Sequence, residues 1–355
     1  MLYIVLAILA FGILIAVHEI GHFTAAKLLG VKVTEFAIGF GPKLLTKQGK
    51  ETLYSLRALP FGGFCAMEGQ DESTVDPRGF TSQKRWRRIL ILFAGSLANF
   101  IAAFIIVIII NSGITYLQGT TITRLVDHFP EVDSYRLMEG DTILSINGER
   151  LYYRDDFNMF MQLAGNGPIE IVLQRGGERI KYERYPLERD EYIVDGQMHR
   201  RYALSFNTIE VTFFEQIKYS GYQAVNFIRL IRVSLAQMVS GAIGVRELSG
   251  PVGIVEAMSD IGQAVAAEFG IVAAIRQLAF FTAFIGVNLA VMNMLPIPAL
   301  DGGRILLIIV TWFIEKIIRR PLDPKYEGYI HTGAFVLLIG FMVLILINDV
   351  VKLFI

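Results

Sequence analysis

The sequence predicts an α-helical membrane protein with four transmembrane helices, a cytoplasmic membrane-re-entrant β-hairpin region and an extracytoplasmic α+β domain. Three observations lead to this fold class. Hydrophobic residues make up 53% of the 355-residue chain, and the mean hydropathy is +0.49, which is typical of a membrane protein with a soluble insert. Four apolar segments approach the roughly 20 residues that cross a bilayer. Between the second and third segments, short β-rich runs alternate with turns.

The four apolar segments set the boundaries of the predicted transmembrane helices. The first occupies residues 1–24 and opens with a charge-free run from Leu2 to Val17. The second occupies 89–111, and the fourth occupies 330–355. The third, at 277–318, contains a break and a following apolar helix, because a short apolar run continues after a proline-rich interruption.

Basic residues near the ends of these segments predict the orientation of the chain. Cytoplasmic loops of membrane proteins carry an excess of lysine and arginine. The loop at 25–88 and the link between the third and fourth segments are therefore predicted to be cytoplasmic, and both termini and residues 112–276 extracytoplasmic. The basic residues that carry this prediction are Lys27, Lys32, Lys84, Arg85, Arg87, Arg88, Arg304, Lys316, Arg319 and Arg320.

The sequence HEIGH ends the first apolar segment and predicts a metal site near its cytoplasmic end. Residues four apart lie on one face of a helix, so His18 and His22 can offer two imidazoles to one ion. With Glu19 beside them, they form the H-E-x-x-H pattern of zinc peptidases, in which the glutamate is the general base. The alternative is an ordinary helix that carries these residues by coincidence, although the chain has only five histidines. Ionisable residues inside a membrane helix are costly, which favours the functional interpretation.

The cytoplasmic loop at 25–88 contains two alternating runs that predict β-strands. VKVTEFAIGFGPKLLT and ETLYSLRALPFGGFCAME are interrupted by glycines and prolines, which indicates turns. These apolar strands directly follow the metal helix and are predicted to form a membrane-re-entrant sheet whose edge pairs with an extended substrate. Gly62 and Gly63 are the predicted substrate-binding residues of this sheet. The alternative is a small hairpin with only a packing role.

The long extracytoplasmic segment divides into two predicted parts. Residues 112–190 are β-rich, and within them LMEGDTILSINGERL resembles the signature of PDZ domains, with Asn147 and Gly148 at a two-residue hairpin turn. A PDZ-like module makes contact with a peptide possible. Residues 191–276 are predicted to be a helical, amphipathic linker. It either lies on the membrane surface or packs as an ordinary linker beneath the PDZ-like module.

The third apolar segment contains a second group of candidate site residues. In NMLPIPALDGGR two prolines and two glycines interrupt the helix beside Asp301, and such broken backbone is expected where a site is lined. A catalytic zinc ion takes about three protein ligands, and Asp301 is the strongest candidate for the third. The alternative for Asp301 is a helix cap. Asn293 and Asn288 are predicted to bind substrate backbone or a reaction oxyanion, with interhelical hydrogen bonding as the alternative.

With these motifs the chain resembles the site-2 proteases, and among them the RseP-like subgroup of intramembrane zinc metalloproteases. The resemblance covers nearly the whole chain through HEIGH, FAIGFGPKL, LPFGG, the PDZ-like module, SGPVGI and NMLPIPALDGGR. It implies zinc ligands His18, His22 and Asp301, the catalytic base Glu19 and a substrate contact at Asn293. It also implies a multi-pass protein of the bacterial cytoplasmic membrane that acts in regulated intramembrane proteolysis. The implied substrates are single-span membrane proteins, such as trimmed anti-sigma factors, and remnant signal peptides.

Two features depart from the family pattern, and two other function classes remain open. The chain has one PDZ-like unit where the best-known members have two, and Ser96 stands where proline is common. One alternative is a non-enzymatic membrane scaffold that presents the PDZ-like module. The other is a metal transporter, which would need more ionisable residues along the apolar segments. The formal net charge of zero gives no indication of a nucleic-acid partner.

Overall fold

The structure, a computed structural model, divides the chain into two compact units. Residues 1–110 and 223–355 form the first unit, and residues 111–222 form the second. The described residues are 2–70, 74–125, 137–165, 167–185, 190–194, 197–201, 204–241, 250–320 and 325–352. Ser249, with which the SGPVGI motif begins, lies outside them.

The described residues contain eight α-helices and ten β-strands. The helices are α1 (Leu2–Leu28), α2 (Arg85–Asn111), α3 (Arg154–Ala164), α4 (Phe213–Val239), α5 (Pro251–Phe269), α6 (Ile271–Asn293), α7 (Asp301–Ile318) and α8 (Lys325–Lys352). The strands are β1 (Val33–Gln48), β2 (Leu53–Met67), β3 (Tyr116–Leu125), β4 (Thr142–Ile146), β5 (Glu149–Arg150), β6 (Ile169–Arg175), β7 (Glu178–Tyr185), β8 (Asp190–Val194), β9 (Gln197–Arg201) and β10 (Leu204–Glu210).

Four helices within the described ranges are long and apolar enough to cross a bilayer. They are α1, α2, α6 and the segment Gly328–Ile345 of α8, in agreement with the four predicted segments. The helices begin or end up to six residues outside the predicted bounds, because polar residues extend a helix at each end without adding to its apolar run. The predicted break in the third segment separates α6 from α7.

Two clusters of buried side chains hold the helices of the first unit together. One joins α1, α5 and α6 through Ala7, Leu14, Met258, Leu278 and Ile285. The other joins α2, α4 and α6 through Ala103, Val107, Phe227, Ile231, Ala283 and Val287. The second half of α4 therefore packs against two of the apolar helices. The choice between a membrane-surface helix and a linker beneath the PDZ-like module stays a prediction. Phe227 and Ile231 are buried against α2 and α6, whereas Phe213, Phe214 and Val239 are more than half exposed.

The loop between α1 and α2 folds into a strongly bent antiparallel hairpin of β1 and β2. Residues 33–38 pair on one side with 63–67 and on the other with 53–56, because each strand folds back on itself. Residues 43–48 pair with 53–57. The backbone φ angles of Gly39, Gly41 and Gly62 lie between +84° and +86° at the bends, a conformation that glycine adopts without steric cost. The two predicted strands are thus present, and residues 63–67 form one edge of the sheet.

The second unit is built on a six-stranded sheet with a core of its own. The strand order is β10–β3–β4–β6–β7, and β5 pairs with β4. The predicted Asn147–Gly148 turn joins β4 to β5, and both residues have positive φ, as a two-residue hairpin requires. The predicted domain boundary at residue 190 falls short, because β10 pairs with β3 and adds residues that the sequence assigned to a helical linker. Local pattern does not show a strand pairing with another about eighty residues away.

Candidate metal centre

The site is built where α1 and α2 approach each other unusually closely. A Cβ atom added to Gly21 would lie 2.4 Å from the carbonyl oxygen of Ala94. A Cβ atom added to Gly95 would lie 2.4 Å from Nε2 of His22 and 2.8 Å from Cε1 of His18. The two imidazole rings therefore occupy the space that a side chain at position 95 would take. Glycine at both crossing points allows α2 to form a wall of the site.

Three potential ligand atoms from two distant parts of the chain converge at this point. Nε2 of His18 and Nε2 of His22 lie 3.1 Å apart, and each lies 3.2 Å from Oδ2 of Asp301. Among the described residues, these three form the group of His, Cys, Asp and Glu side chains whose geometry could hold a metal ion. The structure thus brings together the three residues that the sequence predicts as metal ligands.

The break between α6 and α7 places Asp301 next to His18 and His22. Asp301 is the first residue of α7, and the side chain of Leu300 at the preceding N-cap position makes no capping hydrogen bond. Added Cβ atoms would meet backbone oxygens of the break at 2.3 Å from Gly302 and at 2.1 Å from Gly303. The two glycines lie inside the first turn of α7, where the backbone of the break packs closely against them. They allow this close packing, but they do not themselves interrupt the helix. Ala299 has a φ of +90°, a strained conformation for a residue with a Cβ.

Glu19 lies beside the histidines and against the edge of the hairpin. Its Cγ would be 3.3 Å from a Cβ added to Gly63, and its carboxyl group lies near the backbone of Cys65. The edge strand 63–67 therefore borders the glutamate directly. Gly62, the other predicted substrate-binding glycine, lies under the ring of Phe40 and has no described contact with the three potential ligands.

The two predicted asparagines differ in their relation to the site. Nδ2 of Asn293, the last residue of α6, lies 3.4 Å from Nε2 of His18. Asn288 is five positions earlier, which turns it by about 140° around a helix of 3.6 residues per turn. In the described part of the chain no hydrogen bond joins Asn288 to the two histidines or to Asp301. The helical period, which can be read from the sequence, distinguishes Asn293 from Asn288.

The residues present fit a zinc ion. With zinc–nitrogen and zinc–oxygen bonds of about 2.0–2.2 Å, neighbouring ligands of a tetrahedral site lie roughly 3.3 Å apart, close to the observed 3.1–3.2 Å. Two imidazoles and one carboxylate leave one position open, as catalytic zinc sites do. Nδ1 of His22 donates to the carbonyl oxygen of Ile91 at 2.8 Å, which would leave its Nε2 to hold the ion.

Gly95 and the Ile91 carbonyl are parts of the site that the sequence analysis did not identify. Both lie on α2, which carries no metal ligand. A signal for Gly95 was present, since the small residues Ala94, Gly95, Ser96 and Ala98 interrupt an otherwise bulky segment, and small residues in membrane helices mark close helix contacts. The Ile91 carbonyl has no sequence signal, because any residue supplies a carbonyl group.

Comparison with known proteins gives one family and a set of full-length relatives. The family described as Peptidase family M50 matches residues 6–341. Three relatives bear the name "putative zinc metalloprotease". The first, from Clostridium perfringens, is 36% identical over 353 residues, covering 99% of each chain. Another, from Clostridium acetobutylicum, is 37% identical over 351 residues, covering 98% of this chain and 97% of the relative. One from Fusobacterium nucleatum is 31% identical over 356 residues, covering 98% of both.

Proposed function

The chain belongs to peptidase family M50, the site-2 protease family, and from this we propose that it is an endopeptidase that hydrolyses peptide bonds within or near transmembrane segments. Members of the family are zinc-dependent membrane metalloproteases. The observation that carries the proposal is the convergence of His18, His22 and Asp301 beside Glu19. No single local segment supplies all four residues, so the fold itself assembles them.

In this proposal each of these four residues has a defined task. His18, His22 and Asp301 hold the zinc ion, which supplies a Lewis acid that lowers the pKa of a water molecule to about 7 and polarises the scissile carbonyl group. Glu19 takes the proton of the attacking water and returns it to the leaving amine nitrogen. The edge strand that contains Gly63 and Cys65 borders the carboxyl group of Glu19 and limits where it can move.

The hairpin edge and Asn293 would position the substrate. A peptide bond in a helix is shielded by its own hydrogen bonds, so a substrate must be extended before water can attack. The edge strand 63–67 offers backbone groups for pairing with an extended chain directly beside Glu19. Asn293, 3.4 Å from His18, lies where an amide can bind substrate backbone or a developing oxyanion. Gly62, Gly63 and Asn288 complete the proposed substrate-binding set.

The proposed setting is the bacterial cytoplasmic membrane, with the site near its cytoplasmic side. Basic residues at the entrance to α2 and at the end of α7 support this orientation, with the termini and the PDZ-like unit outside. The curated relatives named above come from bacteria. The proposed substrates are single-span membrane proteins, such as anti-sigma factors in regulated intramembrane proteolysis, and remnant signal peptides. The PDZ-like unit is proposed to contact peptides.

Cleavage of a single-span model substrate in detergent tests the proposal. Glu19→Gln removes the proposed base and keeps the ligands, so we expect zinc content equal to wild type and cleavage reduced by about 10²–10⁴-fold. Glu268→Gln, at an exposed position near the end of α5, is the matched control and should cleave as wild type does. Full cleavage by Glu19→Gln would overturn the role of Glu19. A zinc-loaded wild type that cleaves no membrane substrate yet binds extracytoplasmic peptides would replace the protease by the scaffold.

A further inference from the structure

Unpartnered polar atoms are concentrated where α1 meets α2. Nδ1 of His18, Oγ of Ser96, and both Oδ1 and Nδ2 of Asn99 are buried and make no hydrogen bond to the described residues. Asn99 is 1% exposed and Ser96 is 3% exposed. Buried polar groups in folded proteins nearly always have a partner, supplied by protein or by ordered water. Four such atoms on two packed helices therefore require an explanation.

Helix geometry places these three residues at neighbouring positions of the contact between α1 and α2. A Cβ added to Gly95 would lie 2.8 Å from Cε1 of His18, and Cε1 is bonded to Nδ1 in the imidazole ring. Asn99 follows Gly95 by four residues and shares its face of α2, and Ser96 precedes Asn99 by three. In the next layer, a Cβ added to Gly286 would lie 3.1 Å from Leu14 and 3.6 Å from the Asn99 carbonyl oxygen. Leu14 is one turn before His18, so Asn99 lies at the level just beyond the His18 ring.

We propose that Asn99 and Ser96 hold an ordered water molecule that accepts the Nδ1–H of His18. A buried water needs two to four polar partners, and these three side chains supply them. The proposal rests on the proposed role of His18 as a zinc ligand. Asn99 is then a positioning residue, because it acts on the metal through His18 and touches neither the metal nor the substrate.

This arrangement would fix the tautomer of His18. With the proton held on Nδ1, the lone pair of Nε2 is free for the metal, and the ring is oriented toward Asp301. His22 receives the same support from the carbonyl oxygen of Ile91 at 2.8 Å. The two histidines therefore differ in kind, since His22 is supported by backbone and His18 by side chains that substitution can remove.

The test measures zinc affinity of the full-length apoprotein by competition with a chromophoric chelator. Loss of such a partner typically weakens metal binding by about 10–100-fold. We expect Asn99→Leu to weaken binding by about that factor and Ser96→Ala by less. Asn111→Leu is the matched control, since Asn111 is also buried on α2, twelve residues away, and bonds Oγ of Ser220 at 3.0 Å. It should lower thermal stability and leave zinc affinity at the wild-type value.

A conservative variant and a spectrum separate positioning from packing. Asn99→Asp keeps an oxygen acceptor and should retain zinc affinity, and the visible absorption bands of the Co²⁺-loaded protein should shift in Asn99→Leu but not in Asn111→Leu. Wild-type zinc affinity in both Asn99→Leu and Ser96→Ala would overturn the proposal, as would equal weakening by Asn111→Leu. If Asn99→Leu does not fold, Ser96→Ala and Asn99→Asp decide. His18→Ala should lose zinc binding. If it does not, the assignment of His18 as a zinc ligand is wrong, whatever the result for Asn99.

Discussion

The six-stranded sheet of the second unit and the bent β1–β2 hairpin are stabilised in different ways. The sheet of the second unit surrounds a core of its own, with large buried side chains such as Phe157, Ile143 and Leu173. The bent hairpin shares its few buried residues with the helices around it and leaves Leu44 and Leu45 62% and 68% exposed. The six-stranded sheet has a core of its own, whereas the hairpin depends on its neighbours and exposes apolar side chains at Leu44 and Leu45. The six-stranded sheet is thus stabilised by its own core, and the hairpin contributes the edge strand that borders Glu19.

The largest change in the free energy of unfolding is expected from a substitution in the core of the six-stranded sheet. Phe157 is 1% exposed and packs edge-on against Phe206, with ring centroids 5.1 Å apart. Phe157→Ala should destabilise the second unit by about 3–5 kcal/mol, because it removes apolar contacts and leaves a cavity. Pulse proteolysis in increasing urea measures this as a lower midpoint. Leu44→Ala in the hairpin is the control and should change the midpoint by less than about 0.5 kcal/mol equivalent. Equal shifts would remove the distinction between the sheets.

A substitution in the hairpin should act on chemistry and leave folding intact. In Gly63→Val the new Cβ would lie 2.9 Å from the Ala37 carbonyl oxygen and 3.3 Å from Cγ of Glu19, so the edge strand or the glutamate must move. A displacement of about 1 Å can cost about 10²-fold in rate, and we expect a loss of that size in cleavage of a single-span substrate with zinc content unchanged. Gly113→Val, where nothing lies within 4 Å, should behave as wild type. Normal cleavage by Gly63→Val would argue against the edge strand as part of the site.

The smallest change in stability is expected at Glu51, a partly exposed, ion-paired carboxylate beside the turn of the hairpin. Hydrogen bonds from Lys27 and Arg78 hold the pKa of Glu51 below its ordinary value. A lowered pKa means that the stabilisation is fully present above the ordinary carboxyl pKa and is lost as pH falls through the folded value. Glu51→Gln should therefore cost less than about 1 kcal/mol at pH 7 and nothing in strong acid. Thermal unfolding of both proteins from pH 3 to pH 7 checks this, and a gap that widens toward acid would contradict it.

The elements that could be predicted from the sequence are those whose residues form a recognisable pattern over a short stretch of the chain. His18 and His22 lie one turn apart, and the prolines before Asp301 indicate the break that places this third potential ligand at the site. The pairing of β10 with β3 and the folding of β1 onto both halves of β2 depend on contacts between distant segments, for which no local period exists. Gly95 was missed for a related reason: a close approach is a property of two helices, and only one of them carries the recognisable motif.

Gly95 also limits which sequences this protein can have. Every other amino acid adds a Cβ, and at this position that atom would lie 2.4 Å from Nε2 of His22. Along α8, by contrast, Gly333 and Gly340 have nothing within 4 Å of an added Cβ. A side chain at position 95 therefore fits only if the imidazole of His22 or the helix α2 moves. The tolerance of this position for substitution thus depends on the histidine that it faces.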